Sequence, residues 1–118
     1  IIVPQGHLMA FDQGLAQRVR ELLADNPYAT EKKMFGGMGF MISGNICVGI
    51  MGEGMVVRVG PPCYAHALAL PHTQEFNFTG RPMKGWVMVN AHGLAEDEDL
   101  AQWLERGEQF ASALLPKH

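Results

Sequence analysis

Cys63, His66 and His72 lie close enough in sequence to share a metal ion. Cys63 and His66 stand about one helical turn apart. Pro71 interrupts the run before His72, and no fourth ligand is evident, so no zinc-type site is expected. Cys47 falls in the middle of a strand-like run among small residues. It reads as a packed structural thiol rather than a nucleophile, which would need a base beside it. The two cysteines form no CxxC pair. Reduced thiols in a cytoplasmic protein are the expectation. Ser43 lies in a turn, outside any GxSxG context. No catalytic constellation emerges. The chain is expected to be no enzyme and to carry no cofactor and no metal.

The basic residues Lys33, Arg58, Arg81 and Lys84 are the other chemical signal. Arg58 sits within a strand, and a charge among apolar neighbours needs a partner or solvent. Arg81 and Lys84 belong to a loop between two strands. Two readings stand side by side. The charges are solvated, with one structural ion pair, or they converge into an anion, nucleotide or partner site. The glycine string Phe35-Gly36-Gly37-Met38-Gly39 is no phosphate-binding loop. It lacks a GK[ST] ending, and a strand rather than a helix follows it.

These residues must be positioned by elements that the hydrophobic period discloses. Asp12 suits an N-cap. Leu15, Val19, Leu22 and Leu23 then recur at helical spacing, which predicts a helix from about Asp12 to Asp25, closed by Asn26-Pro27. Residues 30–37 read as extended or irregular. From Met38 the period becomes two. Met38, Phe40 and Ile42 are followed by the turn Ser43-Gly44-Asn45, then Ile46, Val48 and Ile50. After Gly52-Glu53-Gly54 come Met55, Val57 and Val59. Pro61-Pro62 opens a short helix bearing Tyr64, Ala65, Leu68 and Ala69. Residues 75–78 and 86–89 make two short strands. Glu96, Asp97, Glu98 and Asp99 begin a final helix, favourably placed on its dipole. Its stripe is Leu100, Trp103, Leu104, Gly107, Phe110, Ala111 and Leu114. The fold class is α+β, an antiparallel sheet in the order helix, three strands, helix, two strands, helix.

The meander's register can be derived. Turns of three and four residues set Ile42 against Ile46, Ile50 against Met55, and Phe40 against both Val48 and Val57. The large apolar residues then share one face, as a half-buried antiparallel sheet requires. The opposite face holds Gly39, Met41, Cys47, Gly49, Val56 and Arg58. Gly39, Met41, Cys47 and Gly49 are therefore a candidate contact surface, small and apolar where solvent would favour polar residues. Eight methionines in 118 residues serve as flexible core filling or as a partner-binding surface.

A length of 118 residues and 47% hydrophobic content suit one domain,. A net charge of −3 argues against a general polyanion binder,. No apolar run approaches the about 20 residues that cross a bilayer. Residues 1–8, Ile-Ile-Val-Pro-Gln-Gly-His-Leu, have the pattern of a protease-cleaved tag remnant. The domain itself is expected from Met9 to His118.

Several motifs in order carry a family resemblance: Lys32-Lys33-Met34-Phe35-Gly36-Gly37-Met38-Gly39-Phe40, then Gly44-Asn45, then Val57-Arg58-Val59-Gly60, then Phe78-Thr79-Gly80-Arg81-Pro82-Met83-Lys84-Gly85-Trp86. Together they resemble the N-terminal domain of the TfoX (Sxy) competence regulators, over essentially Met9 to Pro116. The resemblance implies a secretion-chaperone-like α+β fold. It is closest in kind to stand-alone members without the C-terminal domain. Together with the lack of a catalytic constellation and the small, apolar second sheet face, it leads to the expectation of a regulatory, non-enzymatic interaction module with a protein partner such as a transcription regulator, working as a homodimer. Direct nucleic-acid binding is not expected of an acidic chain without a basic recognition helix.

Overall fold

The computed structural model describes residues 11–34, 36–77 and 80–117. The tag-like residues 1–8, and Phe35, Phe78 and Thr79 of the family motifs, lie outside them. Among the described residues three α-helices pack with one six-stranded antiparallel sheet. The helices are α1 (Gln13–Leu22), α2 (Tyr64–Leu68) and α3 (Asp97–Ala113). The strands are β1 (Ala29–Met34), β2 (Gly37–Ile42), β3 (Asn45–Met51), β4 (Gly54–Arg58), β5 (Thr73–Glu75) and β6 (Trp86–Val89). Their order across the sheet is β1-β2-β3-β4-β6-β5. The expected sequence of elements holds, with one strand added before the meander.

That added strand is β1, read from sequence only as extended. Its Thr30-Glu31-Lys32-Lys33 segment is exposed. It forms an edge, where charged residues discourage pairing with another chain.

Helix α1 begins as its sequence demands. The Asp12 carboxylate accepts a hydrogen bond from the Leu15 N–H at 3.1 Å. Leu15, Val19 and Leu23 are buried, four residues apart. Leu22 is 46% exposed, because one position is a rotation of about 100° off that stripe. Arg20 forks onto Glu31 of β1 at 2.6 and 2.7 Å, fastening the helix to the edge strand. Arg18 reaches Asp97 at the start of α3 at 3.0 Å.

The meander register agrees with the derived one in two of its rows. Phe40 pairs with Val48, and Val48 with Val57. Ile50 pairs with Met55. The turn between β2 and β3 corrects the third. It contains two residues, Ser43 and Gly44, with φ of 50° and 82°. Two positive φ values make the turn whose twist matches a hairpin. Ile42 therefore faces Asn45, and Met41 faces Ile46. A register shift between Phe40 and Met41 restores the Phe40–Val48 row and leaves Cys47 as the extra residue of a bulge,. Ile46 thus shares the outer face with Met41, and Cys47 turns inward. Its thiol is fully buried and lies 3.9 Å from the Leu104 carbonyl of α3.

The core fills the space between the sheet and helices α1 and α3. Phe40, Ile42, Val48, Ile50, Met55, Val57, Val87 and Val89 face Leu15, Val19, Leu100, Trp103 and Leu104. Of the expected α3 stripe, Leu100, Trp103, Leu104, Gly107 and Ala111 are buried, while Phe110 and Leu114 are half-buried at its margin. The chain after α3 returns to the first turn of the meander. The Lys117 N–H donates to Ser43 O at 2.7 Å, and Asn45 Nδ2 donates to Leu115 O at 2.9 Å.

Candidate functional site

One face of the sheet carries helices; the other does not take part in that core. Pairing fixes which residues occupy it. Lys32, Gly39, Gly49, Val56, Met88 and Gln74 form a continuous row across all six strands. Met41 and Ile46 lie on one side of that row, and Met34, Gly37, Met51 and Gly54 on the other. Directly paired residues share a face, so these assignments follow from register alone.

The outer face is built from glycine hollows and methionines. A Cβ on Gly39 would stand 2.5 Å from the Met34 sulfur, so the thioether lies across the space that Gly39 leaves. A Cβ on Gly54 would meet the Met88 sulfur at 3.1 Å. Met34, Met41, Ile46, Met51 and Met88 are all half-buried. Met51, Met88 and Phe76 border a cleft of about 300 Å³ on this side. Methionine is unbranched and polarisable, and such side chains repack readily against varied shapes. The chemical capacity of this face is adaptable apolar contact.

The candidate contact residues Gly39, Met41 and Gly49 all belong to it. Cys47 does not. Strict alternation would put it here, and the bulge reverses it. A Cβ on Gly107 of α3 would come within 3.0 Å of its sulfur. Burial pushes the Cys47 thiol far above its ordinary pKa, and the nearby Glu108 carboxylate adds to the shift. A thiol held protonated in this way is a poor nucleophile.

Arg58 is held differently from the expectation of a carboxylate partner or an anion. Its cross-strand neighbour on β6 is Trp86. The guanidinium lies 5.2 Å from the centre of the Trp86 ring and 5.3 Å from that of Phe110. The two rings come from opposite layers, so the cation bridges sheet and helix at the end of β4. Partial burial lowers its pKa from the ordinary value. Guanidinium tolerates such a site because it is weakly hydrated and stacks on aromatic faces. Phe76 is buried, and its ring lies 6.3 Å from that of Trp86.

The four candidate cations are not gathered into one cluster. Lys33 lies in a row with Met38, Ile50 and Met55, on the helical face. Arg58 is on the outer face, three strands away. Strands stand about 4.8 Å apart, so that displacement alone separates them by roughly 14 Å. Arg81 and Lys84 are exposed in the loop leading to β6.

Trp86 and Phe110 join the site as the aromatic partners of Arg58. Nothing local in sequence joins either to Arg58. Met34, Met51 and Met88 were legible in principle, since period two places them with Gly37, Gly54 and Val56.

The TfoX N-terminal domain model matches residues 21–111. The chain belongs to the TfoX N-terminal domain family. The match spans β1 to β6 and most of α3, including the methionine face and the Arg58 stack. Neither curated proteins nor solved structures give a match to the chain. Among the described residues no helix is long and apolar enough to cross a membrane.

Proposed function

We propose that this TfoX N-terminal domain is a non-enzymatic, cytoplasmic interaction module that docks a regulatory protein on its methionine and glycine sheet face. The observation that carries this reading is the composition of that face. Met34, Met41, Ile46, Met51 and Met88 are apolar and half-buried on the side of the sheet away from the helices. Apolar faces of this kind mark contact sites. The proposed partner is a transcription regulator or a protein of similar regulatory role. Direct nucleic-acid contact forms no part of the reading, since Lys33 and Arg58 lie on different faces and the net charge is −3.

We propose self-association through the same face. Strand addition at the edges is disfavoured: β1 carries Glu31, Lys32 and Lys33, and β5 has only three residues,. Face-to-face packing of two copies avoids both edges.

Replacing methionine by a photo-crosslinking analogue tests both statements. Crosslinks are expected from positions 41, 51 and 88, to a second copy in purified protein and to a regulatory protein in cells. Position 55, buried in the core, should give only internal products. Light scattering showing a monomer at tens of micromolar, where interfaces of micromolar Kd hold most of the chains, would remove the dimer. Intermolecular crosslinks that avoid this face would remove the docking proposal.

A further inference from the structure

The helical side of the molecule holds a second feature, independent of the methionine face. Between α2 with its leading turn and the C-terminal half of α3 lies a cavity of about 380 Å³. Its origin is local. The Phe110 ring is drawn against Gly60, where any Cβ would collide with it. Small side chains, Ala67 on α2 and Ala113 on α3, flank the space that remains. Val59 and Phe110 complete an apolar wall. The volume falls in the range of about 300–1,000 Å³ typical of small-molecule sites.

The polar lining holds one guanidinium and no acid. Arg106 and His66 border the cavity together with Gln109 and the thiol of Cys63, and no carboxylate lines it. Arg106 is stacked on Trp103, its guanidinium 4.6 Å from the ring centre. Its neighbours one turn away on α3 are Gln102, Trp103, Gln109 and Phe110, so no acid on that ridge neutralises it,. Asp99 borders the adjacent cleft that Arg106 also touches, without forming an ion pair with it. In a chain of net charge −3, an apolar cavity edged by an unpaired guanidinium and an imidazole is complementary to an organic anion.

We propose that this cavity binds an aromatic carboxylic acid. The ring lies against Phe110, Val59 and the two alanines, and the carboxylate is held by the Arg106 fork. Arginine suits that role because its paired N–H groups match a carboxylate. Inorganic phosphate has the charge but would leave the apolar wall wet, so it is a poor occupant.

Cys63 supplies the reporter. It is a free, exposed thiol at the cavity wall. The probes are 2-naphthoate, its neutral isostere 2-naphthamide, and inorganic phosphate. Binding is read by NMR titration and by protection of Cys63 from iodoacetamide. 2-Naphthoate should bind and slow Cys63 alkylation severalfold. 2-Naphthamide should bind about tenfold more weakly, the loss of one charge-assisted pair. Arg106→Gln should bring 2-naphthoate down to the amide's affinity. Ala113→Trp, at an exposed position, should fill the cavity and abolish binding with the fold intact. Equal binding of acid and amide by the wild-type chain overturns the proposal. So does phosphate competing as well as 2-naphthoate, or Cys63 alkylation unchanged at saturating probe. Because the comparison of probes uses the unaltered chain, misfolding of either variant leaves it decisive. Failure here leaves the sheet-face proposal untouched, and the reverse.

Discussion

Gly107 of α3 rests so closely on Cys47 of β3 that a Cβ at position 107 would lie 2.7 Å from the Cys47 carbonyl oxygen. The bulge in β3 makes this contact possible by turning the Cys47 side chain toward the helix. A glycine facing it lets the helix approach. Gly107→Ala gains helix propensity, worth about 1 kcal/mol, but forces helix and sheet apart. Overpacking of this kind costs about 1–3 kcal/mol, so net destabilisation is expected. Urea denaturation should show a lower midpoint with unchanged slope. A midpoint equal to or above wild type would show that the layers separate freely.

The two thiols should differ sharply in reactivity. Cys47 is buried and its thiol is pushed up by that burial, whereas Cys63 is exposed. Iodoacetamide should modify Cys63 in the native protein and Cys47 only after unfolding. Mass spectrometry of the alkylated peptides distinguishes them. Comparable native labelling of both would contradict the inward placement of Cys47.

Arg58 should matter by its shape and stacking more than by any ion pair. Arg58→Lys keeps the charge and loses the planar stack on Trp86 and Phe110. A cost of about 0.5–1 kcal/mol is expected. Arg58→Glu should cost more, because it sets a carboxylate against the negative ring faces. Thermal or urea unfolding of the two variants checks the order. A lysine variant as stable as wild type would mean the stack contributes nothing.

The Arg20–Glu31 fork predicts a pH dependence with a definite sign. The Arg20 hydrogen bonds hold the Glu31 carboxyl below its ordinary value. A depressed folded value means the contribution is complete above the unfolded pKa, about 4.3, and is lost as pH falls through the folded value. The pair is substantially exposed, so its size is at most about 1 kcal/mol. The stability gap between wild type and Glu31→Gln should be constant from pH 5 to 7 and close below pH 4. A gap that persists unchanged at pH 3 would rule out this pair as its source.

Asn45 carries a buried side-chain amide. Its amide donates to Leu115 O. Asn45→Ala leaves that carbonyl without its donor, and a loss of about 1 kcal/mol is expected. Hydrogen exchange at the Lys117 amide should accelerate about fivefold, the equivalent of that loss. Unchanged exchange would show that the tail is held without Asn45.

How far these features could be read in advance depended on whether a local signal marked them. The Phe40–Val48–Val57 row is legible because period two is kept in Met38, Phe40 and Ile42 and from Val48 onward through Ile50, Met55 and Val57. The bulge is not, since Ile46, Cys47 and Val48 are all apolar and no polar residue betrays the slip. Only the turn chemistry of Ser43-Gly44, a two-residue loop, would have placed it. Strand β1 hid for a different reason. On an edge it is wetted on both faces, so Thr30-Glu31-Lys32-Lys33 shows no alternation. Which of the two readings holds for the candidate cations cannot be read along the chain, because convergence is a property of strand order. Lys33 and Arg58 belong to strands separated by β2 and β3, and to opposite faces. The outer surface itself, through Gly39, Met41 and Gly49, followed directly from alternation.

The tether between the end of the chain and the first meander turn has a mechanical consequence. Tension applied at the C-terminal end meets the Lys117–Ser43 and Asn45–Leu115 hydrogen bonds before it reaches α3. Gly44 lies tight against Lys117 at the same point. The load therefore passes first to the hairpin of β2 and β3. A tail pulled outward peels one bond at a time and yields at low force, whereas the helix behind it stays seated until the tail is free. Lys117 itself is thereby held beside the turn of the meander, on the sheet's rim.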